Sequence, residues 1–164
     1  MRLVELLTVE RIDTDLAAHD KGEALRAMAT LLAGGLYANV GGPDAWGNRA
    51  PGVDDVHRVL AEREALASTG IGQGVAIPHG RLPGLTRFVG ALGIQREGVD
   101  FDAVDGRPTS ILFALVGPDR AAGEHLKCLA RISRVLRDDS VRARLLRARD
   151  PRSVLDIVLE NDGT

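Results

Sequence analysis

The residues best placed to do chemistry lie between Ser68 and Arg81, in the run Ser-Thr-Gly-Ile-Gly-Gln-Gly-Val-Ala-Ile-Pro-His-Gly-Arg. Glycines at 70, 72, 74 and 80 punctuate it, and a short apolar run, Val75 to Ile77, leads through Pro78 to His79. Glycine lets backbone amides turn towards a guest anion, and proline stiffens the chain that enters the histidine. The combination presents an imidazole at a strand end beside a loop of amides, a setting suited to a negatively charged group. A tight turn that merely precedes a histidine has the same residues. The run contains no Gly-Lys-Ser/Thr of a nucleotide P-loop. Its glycines come before the strand, the reverse of a dinucleotide fingerprint.

Three neighbouring elements must hold His79 in place. Asp54 to Ala67 has helical spacing, with Val56, Val59, Leu60 and Leu66 expected to face inward. Thr109 to Val116 is continuously apolar, as a strand covered on both faces should be. The helix expected over 122–136 follows directly, with Leu126, Leu129, Ile132 or Ser133, and Leu136 as its buried stripe. His125 in its first turn can point back over the strand ends towards His79. Around these lie a short edge strand near 12–16, a helix from about Asp20 to Gly34, a strand over 87–94 and two closing helices at 141–149 and 151–160. Residues 38–52, which include the lone Trp46, have loop composition, and loops longer than about 12 residues tend to be functional or disordered.

Thr69 to His79 resembles the active-site signature of phosphotransferase-system enzyme IIA proteins of the fructose/mannitol/nitrogen type, matching in order and without a gap. The resemblance implies that His79 accepts a phosphoryl group through Nε2 from the carrier HPr or its nitrogen-branch counterpart, with Nδ1–H held by a backbone carbonyl. It implies a supporting charge from Arg63, sixteen residues before His79, and a second histidine at His125, in Glu124-His125-Leu126, that steadies the phosphoryl group. Thr69, Gly70, Gly72 and Gly74 are then expected as the phosphate-binding loop. The likeness runs from about residue 5 to 160, interrupted by 38–52, which is longer than the family's usual connection. Cys128 falls inside an amphipathic helix, so no IIB activity is expected. The chain resembles the nitrogen-type regulatory branch, whose phosphorylation state changes which proteins it binds. A separately encoded sugar-transport IIA that passes phosphate to a IIB domain, and a regulatory binding module that takes no phosphate, are the alternatives.

Bulk properties agree with a single domain over 1–164. The chain is 45% hydrophobic and 27% charged with a net charge of −2, so it has no general attraction for nucleic acid or anionic membrane. Apolar runs are too short to span a bilayer and no signal-peptide pattern opens the chain, so a cytoplasmic location is expected. The histidines at 19, 57, 79 and 125 show no i, i+4 pair and there is one cysteine, so neither metal nor cofactor is expected. The arginines between 131 and 152 are interleaved with Asp138, Asp139 and Asp150 and are read as a solvated face, with an anionic-partner surface as the alternative. The expected fold is an α/β sandwich, a small mixed central sheet flanked by helices.

Overall fold

A computed structural model describes residues 2–36 and 51–163. The expected loop insertion at 38–52, with Trp46, lies outside the described residues apart from Pro51 and Gly52. The elements are β1 (Ile12–Asp13), α1 (Lys21–Ala33), α2 (Val53–Leu66), β2 (Gly70–Gly72), β3 (Val75–Ala76), β4 (His79–Leu82), β5 (Val89–Val99), β6 (Thr109–Pro118), α3 (Ala122–Leu136), α4 (Asp139–Arg147) and α5 (Pro151–Asp162).

The sheet is built around β6. It pairs antiparallel with β5, which in turn pairs parallel with the edge strand β1. Along its other edge β6 pairs parallel first with β3, at Ile111 and Leu112, and then with β4, from Leu115 to Pro118. β3 and β4 are therefore one strand interrupted at Ile77-Pro78, where proline has no N–H for the ladder. β2 folds back antiparallel on β3. The result is the expected α/β sandwich with a small mixed sheet.

The apolar run of β6 is explained by its two covered faces. Ile111, Phe113 and Leu115 enter the core beneath α3, α4 and α5, while Leu112, Ala114 and Val116 enter the core beneath α1 and α2. This is the two-residue alternation of a strand, with apolar side chains on both sides. Each buried large side chain contributes roughly 1.5–3 kcal/mol, so the two cores fix the register of β6 firmly.

Two expected helical stripes hold except at one position each. On α2 the buried positions are Val56, Leu60 and Glu64, spaced by four, while Leu66 is 83% exposed. A carboxylate thus occupies the next turn of the inward face. On α3 the buried residues are His125, Cys128, Ile132, Val135 and Leu136, and Leu126 is 69% exposed. Ile132 and Leu136 are buried as expected, while in the first turn His125 and not Leu126 faces inward. α1 begins as the sequence indicates: Asp20 accepts from the Glu23 N–H, and Glu23 reaches back to the His19 N–H. Four of the eight arginines between 131 and 152 pair with carboxylates, Arg131 with Asp162, Arg142 with Asp139, Arg144 with Glu160 and Arg152 with Asp156. Among the described residues no helix is long and apolar enough to cross a membrane.

Candidate active site

His79 is the first residue of β4, immediately after the break in the strand. The peptides around that break are anchored on both sides. The Ile77 N–H donates to the Thr69 carbonyl at 3.0 Å, and the Pro78 carbonyl accepts from the Leu115 N–H at 2.9 Å. The Ile77 carbonyl then meets His79 Nδ1 at 2.7 Å. A carbonyl can only accept, so Nδ1 carries the proton and Nε2 keeps its lone pair. His79 lines a cavity of about 630 Å³ and an adjoining one of about 290 Å³.

Close packing brings α2 to this strand. A Cβ on Gly80 would lie 2.1 Å from Val59 Cγ1, so only glycine allows the helix this near. One turn beyond Val59, Arg63 donates to the Ala67 carbonyl at the helix end, at 2.9 Å, and lines both cavities. A guanidinium there suits the negative end of the helix dipole and puts positive charge beside the imidazole.

His125 enters from the first turn of α3. Its ring centroid is 5.5 Å from that of His79 and 5.8 Å from that of Phe88. The side chain is buried and its Nδ1 has no hydrogen-bond partner. Burial first, then the neighbouring His79 and Arg81, push His125 down to about 4. Burial also holds His79 below the ordinary histidine value, aided by Arg63 and opposed by the Ile77 carbonyl and Glu64. Both rings are neutral at neutral pH, and a neutral imidazole with a free Nε2 is a nucleophile.

Of the residues singled out from sequence, His79, His125, Arg63 and Thr69 come together around these two adjoining cavities. Gly70, Gly72 and Gly74 line neither. They shape the β2–β3 hairpin, in which Gly72, Gln73 and Gly74 all have positive φ. Three amides in and beside this hairpin are turned to protein acceptors. Thr69 N donates to Glu64, Gly70 N to Ser68 Oγ and Gln73 N to Asp105. The hydroxyl of Thr69 donates its single proton to Glu64 as well.

Sequence reasoning missed Arg81 and Glu64. Arg81 lies two residues after His79 on β4, lines the larger cavity and faces His125 closely enough to depress it. Strand alternation puts i and i+2 on one face, so this position was readable. Glu64 was hidden by the expectation that apolar residues mark the inward face of α2.

Comparison with known proteins places these features in context. The sequence profile described as "Phosphoenolpyruvate-dependent sugar phosphotransferase system, EIIA 2" matches residues 5–161. The chain is 35% identical over 158 residues to a nitrogen regulatory protein of Bradyrhizobium diazoefficiens, covering 96% of this chain and 95% of that one. It is 30% identical over 165 residues to the fructose-specific EIIABC component of Bacillus subtilis, covering 99% of this chain and 24% of the relative. The crystal structure of the nitrogen regulatory protein IIA-Ntr from Neisseria meningitidis superposes with a TM-score of 0.80 at 34% identity, covering 94% of this chain and 97% of that one.

Proposed function

Because the chain belongs to the EIIA 2 family of the phosphoenolpyruvate-dependent phosphotransferase system, we propose that it is a phosphocarrier that takes a phosphoryl group on His79 from an HPr-type phosphohistidine protein. The observation that carries the reading is the Nδ1 contact to the Ile77 carbonyl, which leaves Nε2 as the nucleophile on a cavity wall. As Nε2 bonds to phosphorus, the carrier's N–P bond breaks and its imidazole leaves with that electron pair. Nδ1–H stays on the Ile77 carbonyl, which stabilises the ring as it gains positive character. Transfer of this kind depends mainly on positioning and on charge placed around the three equatorial oxygens. Arg63 and Arg81 supply positive charge, and neutral His125 supplies a ring N–H donor.

The likeness to nitrogen regulatory proteins over nearly the full length of both chains supports a regulatory output. Leu66 and Leu126, both exposed, stand on the cavity wall with His79. A phosphoryl group adds roughly two negative charges between these apolar side chains, and a partner that packs on them would sense the change. The likeness to a fructose-specific EIIABC component supports a second reading, in which the group passes onward to a IIB domain.

Incubation with enzyme I, an HPr-type carrier and phosphoenolpyruvate, followed by intact-mass analysis, tests the proposal. The expected result is one added phosphoryl mass that is lost in acid and absent in His79→Ala. No added mass with any cognate carrier would leave a binding module that takes no phosphate.

A further inference from the structure

Glu64 is a buried carboxylate at a position where the spacing of α2 calls for an apolar side chain. Burial of an ion is costly unless it is paired and fully hydrogen-bonded, and an apolar residue of similar size is often as stable or more so. Here the pairing is complete. Lys21, the first residue of α1, places Nζ 2.7 Å from Oε1 and 3.3 Å from the Asp102 carboxylate. The Thr69 N–H donates to both carboxylate oxygens, at 3.1 and 3.0 Å, and the Thr69 hydroxyl donates to Oε2. Burial alone would raise the Glu64 carboxyl, but Lys21, Thr69 and Ser68 outweigh it and hold it below the ordinary carboxylate range. The group is ionised.

What the clamp holds leads directly to the reactive ring. Glu64 fixes the peptide of Thr69, the Thr69 carbonyl accepts from the Ile77 N–H, and the Ile77 carbonyl accepts from His79 Nδ1–H. We propose that Glu64, neutralised by Lys21, is a positioning residue for His79: through Thr69 and Ile77 it fixes which ring nitrogen carries the proton and where Nε2 points. It touches neither the imidazole nor the phosphoryl group. Because it engages the only hydroxyl proton of Thr69, that side chain belongs to the support of His79 and not to the binding of phosphate. The inference about catalysis rests on the phosphocarrier reading, whereas the inference about the ring does not.

The test uses the full chain labelled with ¹⁵N at histidine, without carrier or phosphate, and reads the His79 ring nitrogens by NMR at neutral pH. The unmodified chain should show Nδ1 protonated and Nε2 bare. Glu64→Ala should show a mixture of the two tautomers. Glu64→Gln, whose amide oxygen can still accept from Thr69, should restore the single tautomer. With phosphorylated carrier, the transfer rate of Glu64→Ala at saturation should fall about tenfold or more, with the half-saturating carrier concentration unchanged, as expected when alignment and not encounter is lost. If Glu64→Ala does not fold, Glu64→Asp, which keeps the charge for Lys21 but withdraws the oxygens by one methylene, is read in the same way. An unchanged His79 tautomer in the folded variant overturns the positioning of the ring, and a mixed tautomer with an unchanged transfer rate overturns its consequence for transfer. If the chain accepts no phosphoryl group from any carrier, the ring measurement still decides the positioning claim on its own.

Discussion

The stretch from Thr69 to Arg81 contains two regions that use glycine for different ends. In the hairpin, Gly72, Gln73 and Gly74 turn the chain with three successive positive φ angles, and Asp105 receives the Gln73 N–H at 2.8 Å. At the strand end, Gly80 has no side chain because Val59 of α2 occupies the space. The first region donates amides to neighbouring protein groups, and the second brings a helix with Arg63 towards the ring of His79. A glycine-rich pattern can therefore serve a site by what it allows to approach as well as by the turns it makes.

The largest expected effect tests the strand end through its histidines. The unfolded chain binds a proton on His125 near pH 6.5, whereas the folded chain does so only near 4. Between those values the unfolded state holds more protons, so stability rises with pH, is complete above about 6.5 and is lost progressively as pH falls towards 4. The span corresponds to about 3 kcal/mol for His125, and the depressed His79 adds to it with the same sign. Urea unfolding at pH 4.5 and 7 should show this slope, and His125→Leu should reduce it. An equal slope in both proteins would remove His125 from the account.

Next in size is Gly80→Ala. Its new Cβ meets a branched side chain on a packed helix, which costs about 1–3 kcal/mol as overpacking. Denaturation should show that loss, and phosphoryl transfer should slow beyond it because Arg63 moves away with α2. A slowed rate only in proportion to the folded fraction would separate the packing from the chemistry.

The hairpin should respond more weakly. Gly74→Ala places a side chain at φ +79°, and a cost of about 1 kcal/mol is expected. Transfer per folded molecule should be retained, and a large drop there would return the hairpin to the role of phosphate cradle. The smallest effect is the acid response of the hairpin. Amides of Gln73 and Arg107 hold the Asp105 carboxyl below its ordinary value of 3.8, so its contribution is present above that pH and is lost only as pH falls further. Asp105→Asn should therefore leave the slope between pH 4.5 and 7 intact. A slope that vanished in Asp105→Asn would mean that the two regions titrate together.

Much of this arrangement was legible in the sequence because it depends on local rules. The apolar run of β6 and the start of α1 at Asp20 are each visible in a few residues, whereas the continuation of the chain along β6 as β4 after Pro78 is not. His125 was placed near His79 by its position in the first turn after β6, and the ring contact bears that out. What remained hidden depends on partners distant in sequence. Glu64 is tolerable on an inward face only because Lys21 lies beside it, and nothing local announces that pair. Leu66 and Leu126 look like core residues by composition, yet they are exposed on the cavity wall: Glu64 and His125 take the inward positions near them, while Val56, Leu60, Ile132 and Leu136 are buried as their spacing indicates. Periodicity finds a helix more securely than it finds the helix's inward face.

The central claim is that the phosphoryl group sits on Nε2 of His79 while Nδ1 keeps its proton. ¹⁵N–³¹P correlation on the histidine-labelled chain, after phosphorylation by enzyme I and an HPr-type carrier, tests it most directly. The account predicts one ³¹P signal coupled to Nε2 of His79, with Nδ1 still protonated. A phosphoryl group on Nδ1, on another residue, or on none would contradict it.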